Sequence, residues 1–162
     1  MSKLKLLFGD LEAKDERSEV LISELRKMVT TIDTTHNAFF GKYDISLSKF
    51  GVLLILYDNS VDGVMLSYIG EQLLVSKANI TGLIDRLEKQ GLVVRIRDND
   101  DRRKISATLT DKGKKFTEMI MEKYREWSAR IFLLIEDDER EKLISLLQKL
   151  QAKIAIAQAE VK

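Results

Sequence analysis

The segment from Ser76 to Thr110 constrains the fold more than any other, because it changes from helical to strand periodicity within a short distance. It reads SKANITGLIDRLEKQGLVVRIRDNDDRRKISATLT. Its first half carries apolar residues at i, i+3, i+4 and i+7, namely Ile80, Leu83, Ile84 and Leu87. This spacing predicts a helix with one apolar face. Ser76 is placed to cap its start, and Gly91 to end it as the residue after the C-cap.

The residues after Gly91 alternate between apolar and polar side chains, which predicts two strands. Val94 and Ile96 alternate with Arg95 and Arg97 in the first strand. In the second strand, Ile105, Ala107 and Leu109 alternate with Lys104, Ser106 and Thr108, and the tip between the two strands, residues 98–103, is too polar to bury. Upstream, the pattern predicts a short helix from Tyr68 to Leu74 capped by Ser67, with a turn at Leu74 and Val75. A helix-turn-helix followed by a hairpin is therefore expected.

Positive charge is concentrated on this helix and hairpin. The formal net charge of the 162-residue chain is only +1. Residues 1–76 carry a balance of −3, residues 77–115 carry +5 and residues 116–162 carry −1. A local basic patch on a near-neutral body is the electrostatic pattern expected of a DNA-binding face.

The runs SKANITGLIDRLEKQGLVVR and DNDDRRKISATLTDKG resemble the DNA-binding core of the MarR family of bacterial transcriptional regulators. The resemblance is close from Leu66 to Gly113. It implies that Arg103 enters the minor groove, that Asp101 orients it, and that the segment from Ser76 to Thr81 reads the major groove. The DNA-binding residues expected on this basis are Ser76, Lys77, Asn79, Thr81, Arg86, Asp101, Arg102, Arg103 and Lys104.

Long helical patterns flank this core. One apolar stripe runs through roughly Glu16 to Phe40, another helix is capped by Ser46, a long helix follows Thr110, and a last one starts near Asp138 with Glu141 at capping-box spacing. We expect a mainly α fold with a small β wing (α+β). Its regions would be an N-terminal dimerisation helix (1–45), a winged helix-turn-helix (46–113) and C-terminal dimerisation helices (114–162).

Composition excludes several other classes of function. With no Cys and a single His, the sequence offers no disulfide framework and only a poor set of metal ligands. Nothing pairs a nucleophile with a base, and no glycine-rich phosphate loop occurs, so neither an enzyme nor a bound cofactor is expected. The apolar runs are too short to span a bilayer, and the N-terminus does not resemble a signal peptide. A cytoplasmic protein is expected.

A small-molecule site is the least constrained expectation. In the resembling family, effectors often bind between the dimerisation helices and the DNA-binding lobe. The side chains expected to line such a site here are His36, Phe39, Phe40, Tyr43, Phe50 and Trp127. They would suit a small aromatic or lipophilic effector, because His36 can charge near neutral pH and meet a carboxylate. The alternative is that these aromatic residues simply form core.

The function expected from the sequence is sequence-specific recognition of double-stranded DNA by a homodimeric transcriptional regulator. It would act as a repressor on a pseudo-palindromic operator and could be released by an effector. The alternative is a winged helix that binds proteins without recognising an operator. The charge clustered around Arg103 argues against that alternative, because the cores of protein interfaces are depleted of charge.

Overall fold

The computed structural model describes residues 16–59, 63–97, 105–133 and 135–160. The chain divides into two compact units, residues 1–113 and residues 114–162. The helices and strands follow in the order α1 (Glu16–Gly41), α2 (Leu47–Asp58), β1 (Val64–Met65), α3 (Leu66–Gln72), α4 (Lys77–Lys89), β2 (Val93–Arg97), β3 (Ile105–Leu109), α5 (Asp111–Phe132) and α6 (Asp137–Glu160). The expected mainly α fold with a small wing is confirmed.

The wing is an antiparallel sheet with the strand order β1-β3-β2. Strands β2 and β3 pair along their full length, and Arg95 lies opposite Ala107. Strand β1 pairs on the other side, with Val64 opposite the same Ala107. The sequence did not predict β1, because two residues are too few to establish an alternating pattern.

The core of the first unit lies between α2, α3, α4 and the wing. Its fully buried apolar residues include Val52, Leu53, Leu56, Ile69, Ile80, Ile84, Leu87 and Val93. The predicted apolar face of α4 is entirely inside this core, since all four of its residues are at most 5% exposed. Burial of this face, rather than helix propensity alone, holds α4 in place.

The predicted start of α3 was wrong. This helix begins at Leu66, and its N-cap is Met65, which makes no side-chain capping bond. Ser67 therefore lies inside the first turn rather than at the cap. The cause is β1, because its pairing with β3 ends at Met65 and the chain enters the helix directly from the strand.

The helix α3 also ends earlier than predicted, at Gln72. The backbone N–H of Val75 donates to the Gly70 carbonyl at 2.9 Å, and that of Leu74 donates to the Glu71 carbonyl at 3.2 Å. This is a Schellman ending with Leu74 in the left-handed position that glycine normally occupies, at φ 54°. The predicted turn at Leu74 and Val75 is thus present, with Leu73 added to it.

In the second unit, the hydrogen bonds of Arg140 fix the junction of α5 and α6. Its guanidinium donates to the carbonyls of Phe132 at 3.0 Å and Ile135 at 3.1 Å. The capping contact runs from the Glu136 N–H to the Glu139 carboxylate at 3.3 Å. The predicted Asp138–Glu141 capping box was wrong, because the acidic cluster offers the same three-residue spacing at both places.

In the part of the chain that the structure describes, no helix is both long and apolar enough to cross a membrane.

Candidate nucleic-acid interface

The first two turns of α4 present polar side chains to solvent. The Ser76 hydroxyl accepts from the Asn79 N–H at 3.3 Å, which confirms the predicted cap. Lys77, Asn79 and Thr81 are exposed, and the Thr81 hydroxyl donates to the Lys77 carbonyl at 2.9 Å. Four of the residues predicted to bind DNA are therefore brought together at one end of the helix. Arg86 is also exposed, one turn beyond Gly82.

The other end of α4 is closed by backbone hydrogen bonds. The Leu92 N–H donates to the Leu87 carbonyl at 3.0 Å, and the Gly91 N–H donates to the Glu88 carbonyl at 2.9 Å. Gly91 has φ +70°, which L side chains rarely adopt. This is the predicted Schellman ending, and it is confirmed. It sets the direction in which the chain leaves α4 for strand β2.

The motif from Thr110 to Gly113 ties the second strand of the wing to this closed end. The Thr110 hydroxyl donates to the Gly91 carbonyl at 2.7 Å and accepts from the Gly113 N–H at 2.9 Å. Lys112 donates through Nζ to the Gln90 carbonyl at 2.7 Å. A Cβ atom at Gly113 would lie 1.9 Å from the Leu92 carbonyl oxygen, so only glycine fits there. The Thr110–Gly113 segment, which lies in the run that resembles the MarR family, therefore holds the wing to the closed end of α4.

Arg95 joins the wing to α4 by its side chain. Its guanidinium forms an ion pair with Asp85 and a second one with Glu88 at 2.9 Å, and it also donates to the Thr81 carbonyl at 3.3 Å. The Arg95 side chain is only 22% exposed. Arg95 belongs to the basic helix-and-hairpin segment identified from the sequence, but the structure pairs its guanidinium with two carboxylates of α4.

Gln90 connects the closed end of α4 to the corner between α1 and α2. Its amide donates to the Asp44 carbonyl at 2.9 Å and to the Asp44 carboxylate at 3.1 Å. Lys49 donates to the same carbonyl at 3.4 Å. Asp44 adopts φ +55°, and these bonds hold it in that turn. The closed end of α4 therefore has partners in α1–α2, in β2 and in the Thr110–Gly113 motif.

Four of the predicted DNA-binding residues, Asp101, Arg102, Arg103 and Lys104, lie outside the described residues. Their role in DNA binding, including entry of Arg103 into the minor groove, remains a prediction from the sequence. Strands β2 and β3 on either side of them confirm the hairpin that would carry them.

Most of the residues predicted to bind an effector form a connected aromatic cluster. Phe40 lies 5.0 Å from Phe39 and 5.1 Å from Phe50 between ring centroids, and Phe39 lies 5.4 Å from Tyr43. These three phenylalanines are at most 5% exposed, while Tyr43 and His36 are partly exposed. The cluster closes the end of α1 over α2. Trp127 belongs to the second unit, where its ring centroid lies 5.4 Å from that of Tyr124.

An open depression lies elsewhere on the first unit, beside the helix-turn-helix. Its volume is about 570 Å³, and it is lined by Leu66, Ser67, Gly70, Glu71, Leu74, Val75, Lys77 and Ile80. Lys77 is one of the residues predicted to bind DNA, so this depression borders the exposed end of α4. Among the described residues, no group of three or more His, Asp or Glu side chains could hold a metal ion.

Comparison with known proteins agrees with this arrangement. Residues 45–105 match the MarR family. The transcriptional regulator YfiV of Bacillus subtilis is 33% identical over 134 residues, which is 83% of this chain and 82% of YfiV. YkoM, another Bacillus subtilis regulator, is 38% identical over 63% of this chain and 65% of its own length.

Solved structures share the fold. A MarR-like regulator from Bacillus cereus matches with a TM-score of 0.75 at 22% identity, covering 86% of this chain and 99% of that one. MepR of S. aureus, in a complex with DNA, matches with a TM-score of 0.69 at 23% identity, covering 81% and 96%. The winged helix-turn-helix, the family match and the extended identity to YfiV lead to one conclusion. The chain belongs to the MarR family of transcriptional regulators.

Proposed function

We propose that this DNA-binding regulator, which is not an enzyme, acts in the cytoplasm as a homodimeric repressor on a pseudo-palindromic operator. The observation that carries the proposal is the asymmetry of α4. Its exposed end presents Ser76, Lys77, Asn79 and Thr81, while Arg95 and Gln90 hold the opposite end in the protein. A helix held in this way can enter the major groove without losing its orientation.

The positions of the DNA contacts follow from this asymmetry. Lys77, Asn79 and Thr81 would contact base edges or adjacent phosphates, and Arg86 would bind a phosphate. By resemblance, Arg103 at the wing tip would enter the minor groove, oriented by Asp101. A cation there gains from the negative potential of a narrow groove. Arg102 and Lys104 would add phosphate contacts, which strengthen binding to every sequence alike.

Dimerisation is supported by apolar side chains that each unit leaves exposed. On α1 these are Val20, Leu21, Ile22, Met28, Val29 and Ile32, each at least 45% exposed. On α6 they include Leu143, Ile144, Leu146, Leu147, Ile154 and Ile156. Apolar patches of this kind usually mark protein interfaces. A two-fold dimer would present two α4 helices to successive major grooves, about 34–36 Å apart.

A repressive role agrees with one relative, the repressor YetL of Bacillus subtilis, which is 28% identical over 73% of this chain.

We also propose that a small aromatic acid releases the protein from DNA by binding at the partly exposed edge formed by His36 and Tyr43. A ligand can release DNA only if it binds the DNA-incompetent form more tightly than the competent one. Titration of aromatic carboxylates against the DNA complex, with His36→Ala beside wild type, tests this part. Release that is unchanged in the variant would place the effector elsewhere.

The test of the main proposal is selection of duplexes from a random-sequence pool, followed by binding measurements across a salt series. We expect an inverted repeat and a steep fall of affinity with salt, because each neutralised phosphate releases counterions. Sedimentation of the free protein should give a dimer. The alternative function is a winged helix that binds another protein. Weak, salt-insensitive binding without an enriched sequence would favour that alternative.

A further inference from the structure

The middle of α4 contains a glycine for which the described part of the fold supplies no reason. Gly82 is the sixth residue of a helix that runs from Lys77 to Lys89. A glycine inside a helix destabilises it relative to alanine, because the unfolded chain has more conformational freedom and no side chain is gained. A glycine inside a helix therefore usually meets a need of packing or of function.

The other described glycines show what such a need looks like. Gly63 and Gly91 have positive φ angles. A Cβ atom would lie 2.8 Å from the Leu73 side chain at Gly51, 3.3 Å from the Val75 carbonyl at Gly70, and 1.9 Å from the Leu92 carbonyl at Gly113. Gly41 ends α1, where glycine is common. Each of these positions has a conformational, steric or positional reason to be glycine.

Gly82 has none of these reasons. Its φ is not positive, and among the described residues a Cβ atom there would come within 4 Å of the Arg86 Nη2 atom alone, at an ordinary distance of 3.7 Å. It is separated by about 180° around the helix from the buried apolar face. Asn79 and Arg86, one turn before and one turn after it, lie on the same side and are exposed. The space left by the missing side chain therefore opens outward, between two residues expected to contact DNA.

We propose that Gly82 is a positioning residue for DNA binding, which lets the backbone of α4 approach the floor of the major groove. Without a side chain at this point, Asn79 and Arg86 can both reach the duplex from the same helix. The Arg86 guanidinium already lies beside the bare backbone of Gly82. This inference rests on the proposed function, and it adds the requirement that the α4 backbone come close to DNA at one point.

The test uses Gly82→Ala in the full chain, with Gly41→Ala as a matched control, since a Cβ atom also has open space at Gly41. Gly82→Ala should raise the melting temperature by about 2–4 °C. It should also weaken binding to a duplex selected by the wild-type protein at least tenfold, and Gly82→Leu should weaken it further. Binding to a scrambled duplex should change less than twofold. Gly41→Ala should leave both affinities unchanged.

The possible outcomes separate this inference from the proposed function. If wild-type protein selects no duplex, both fail. If wild type selects a duplex and Gly82→Leu binds it as tightly, the proposed function stands and the role of Gly82 is refuted. A lower melting temperature in Gly82→Ala would also refute it, because the fold would then need the glycine. Higher thermal stability together with weaker specific binding is the combination that supports the inference.

Discussion

The two ends of α4 differ in how they use their polar groups. At its exposed end, the side-chain hydrogen bonds of Ser76 and Thr81 stay within the helix. At its closed end, Glu88 and Gln90 bind residues from three other parts of the chain, up to 46 positions away. The first end leaves side chains available to a partner, and the second fixes the angle at which they are presented. Binding and positioning are thus assigned to opposite ends of one helix.

This division has a physical rationale. Ordering a long side chain on binding lowers affinity, and a poorly oriented helix adds to that loss. Because the closed end is already held in the free protein, α4 is oriented before it binds DNA, and the loss of affinity from a poorly oriented helix is avoided. The Thr81 carbonyl accepts from Arg95, but the side chains of Ser76, Asn79 and Thr81 make no such long-range bonds and can adapt to base edges. Four changes test this comparison, from the largest expected effect to the smallest.

Gly113→Ala should disrupt the closed end most severely. The new Cβ would overlap the Leu92 carbonyl oxygen, which is backbone and cannot rotate away. We expect a loss of about 3 kcal/mol or more in the free energy of unfolding, and a melting temperature lower by on the order of 10 °C. Gly41→Ala is the control, with open space for its Cβ. Equal stability of the two variants by urea denaturation would show that the Thr110–Gly113 junction is not rigid.

Asn79→Ala should affect the exposed end alone. Its amide is on the surface, so the free energy of unfolding should change by less than about 0.5 kcal/mol. Binding to the selected duplex should weaken by about 1–3 kcal/mol, with relaxed preference at one base pair. Asn37→Ala, an exposed amide on α1, should do neither. If a second selection with the variant gives the same base preference, Asn79 does not contact a base edge.

Arg95→Ala should weaken the connection between the wing and α4. Asp85 and Glu88 are 46% and 38% exposed, so water would partly replace the lost partner, and a stability loss of about 1 kcal/mol is expected. Affinity for scrambled DNA should also fall, although we assign Arg95 no phosphate contact, because the wing would lose its orientation. A double-mutant cycle with Asp85→Asn measures the coupling. Additive effects on unfolding would contradict a clamp between these side chains.

The sequence predicted those features of α4 and the wing that depend on neighbouring residues. The cap at Ser76, the apolar face and the ending at Gly91 each depend on residues that are close together in the sequence, so a local pattern is sufficient. The start of the preceding helix was wrong at Ser67, because it is set by the pairing of Val64 with Ala107, which no local pattern reveals. The closed end shows the same limitation at a second point.

The sequence shows which residues at the closed end are charged, but not which way their side chains point. The alternation of β2 identified Arg95 as a polar position without indicating which neighbour its face would meet. The partnership of Gln90 with Asp44 joins residues 46 positions apart and had no signal in composition or spacing. Local physics therefore predicts where the residues that we propose to face DNA begin, whereas the contacts that orient them depend on the folded chain.

Leu74→Gly should have the smallest effect, and it should be stabilising. Leu74 leads into the exposed end of α4 with φ 54°, and its side chain is 94% exposed. A leucine in the left-handed region is strained by about 1 kcal/mol or more, and glycine removes that strain. The greater freedom of glycine in the unfolded chain offsets part of the gain, so we expect a net gain of about 0.5 kcal/mol. Little burial is lost.

The matched control is Leu73→Gly, one residue earlier. Leu73 has φ −89°, and its side chain packs where a Cβ atom of Gly51 would lie. That variant should be less stable than wild type, since it loses packing and relieves no strain. Urea denaturation of both variants gives the comparison. A loss of stability in Leu74→Gly similar to that in Leu73→Gly would mean that the turn before α4 depends on the Leu74 side chain. The entry to the exposed end would then be held by contacts with the rest of the fold, as the closed end is.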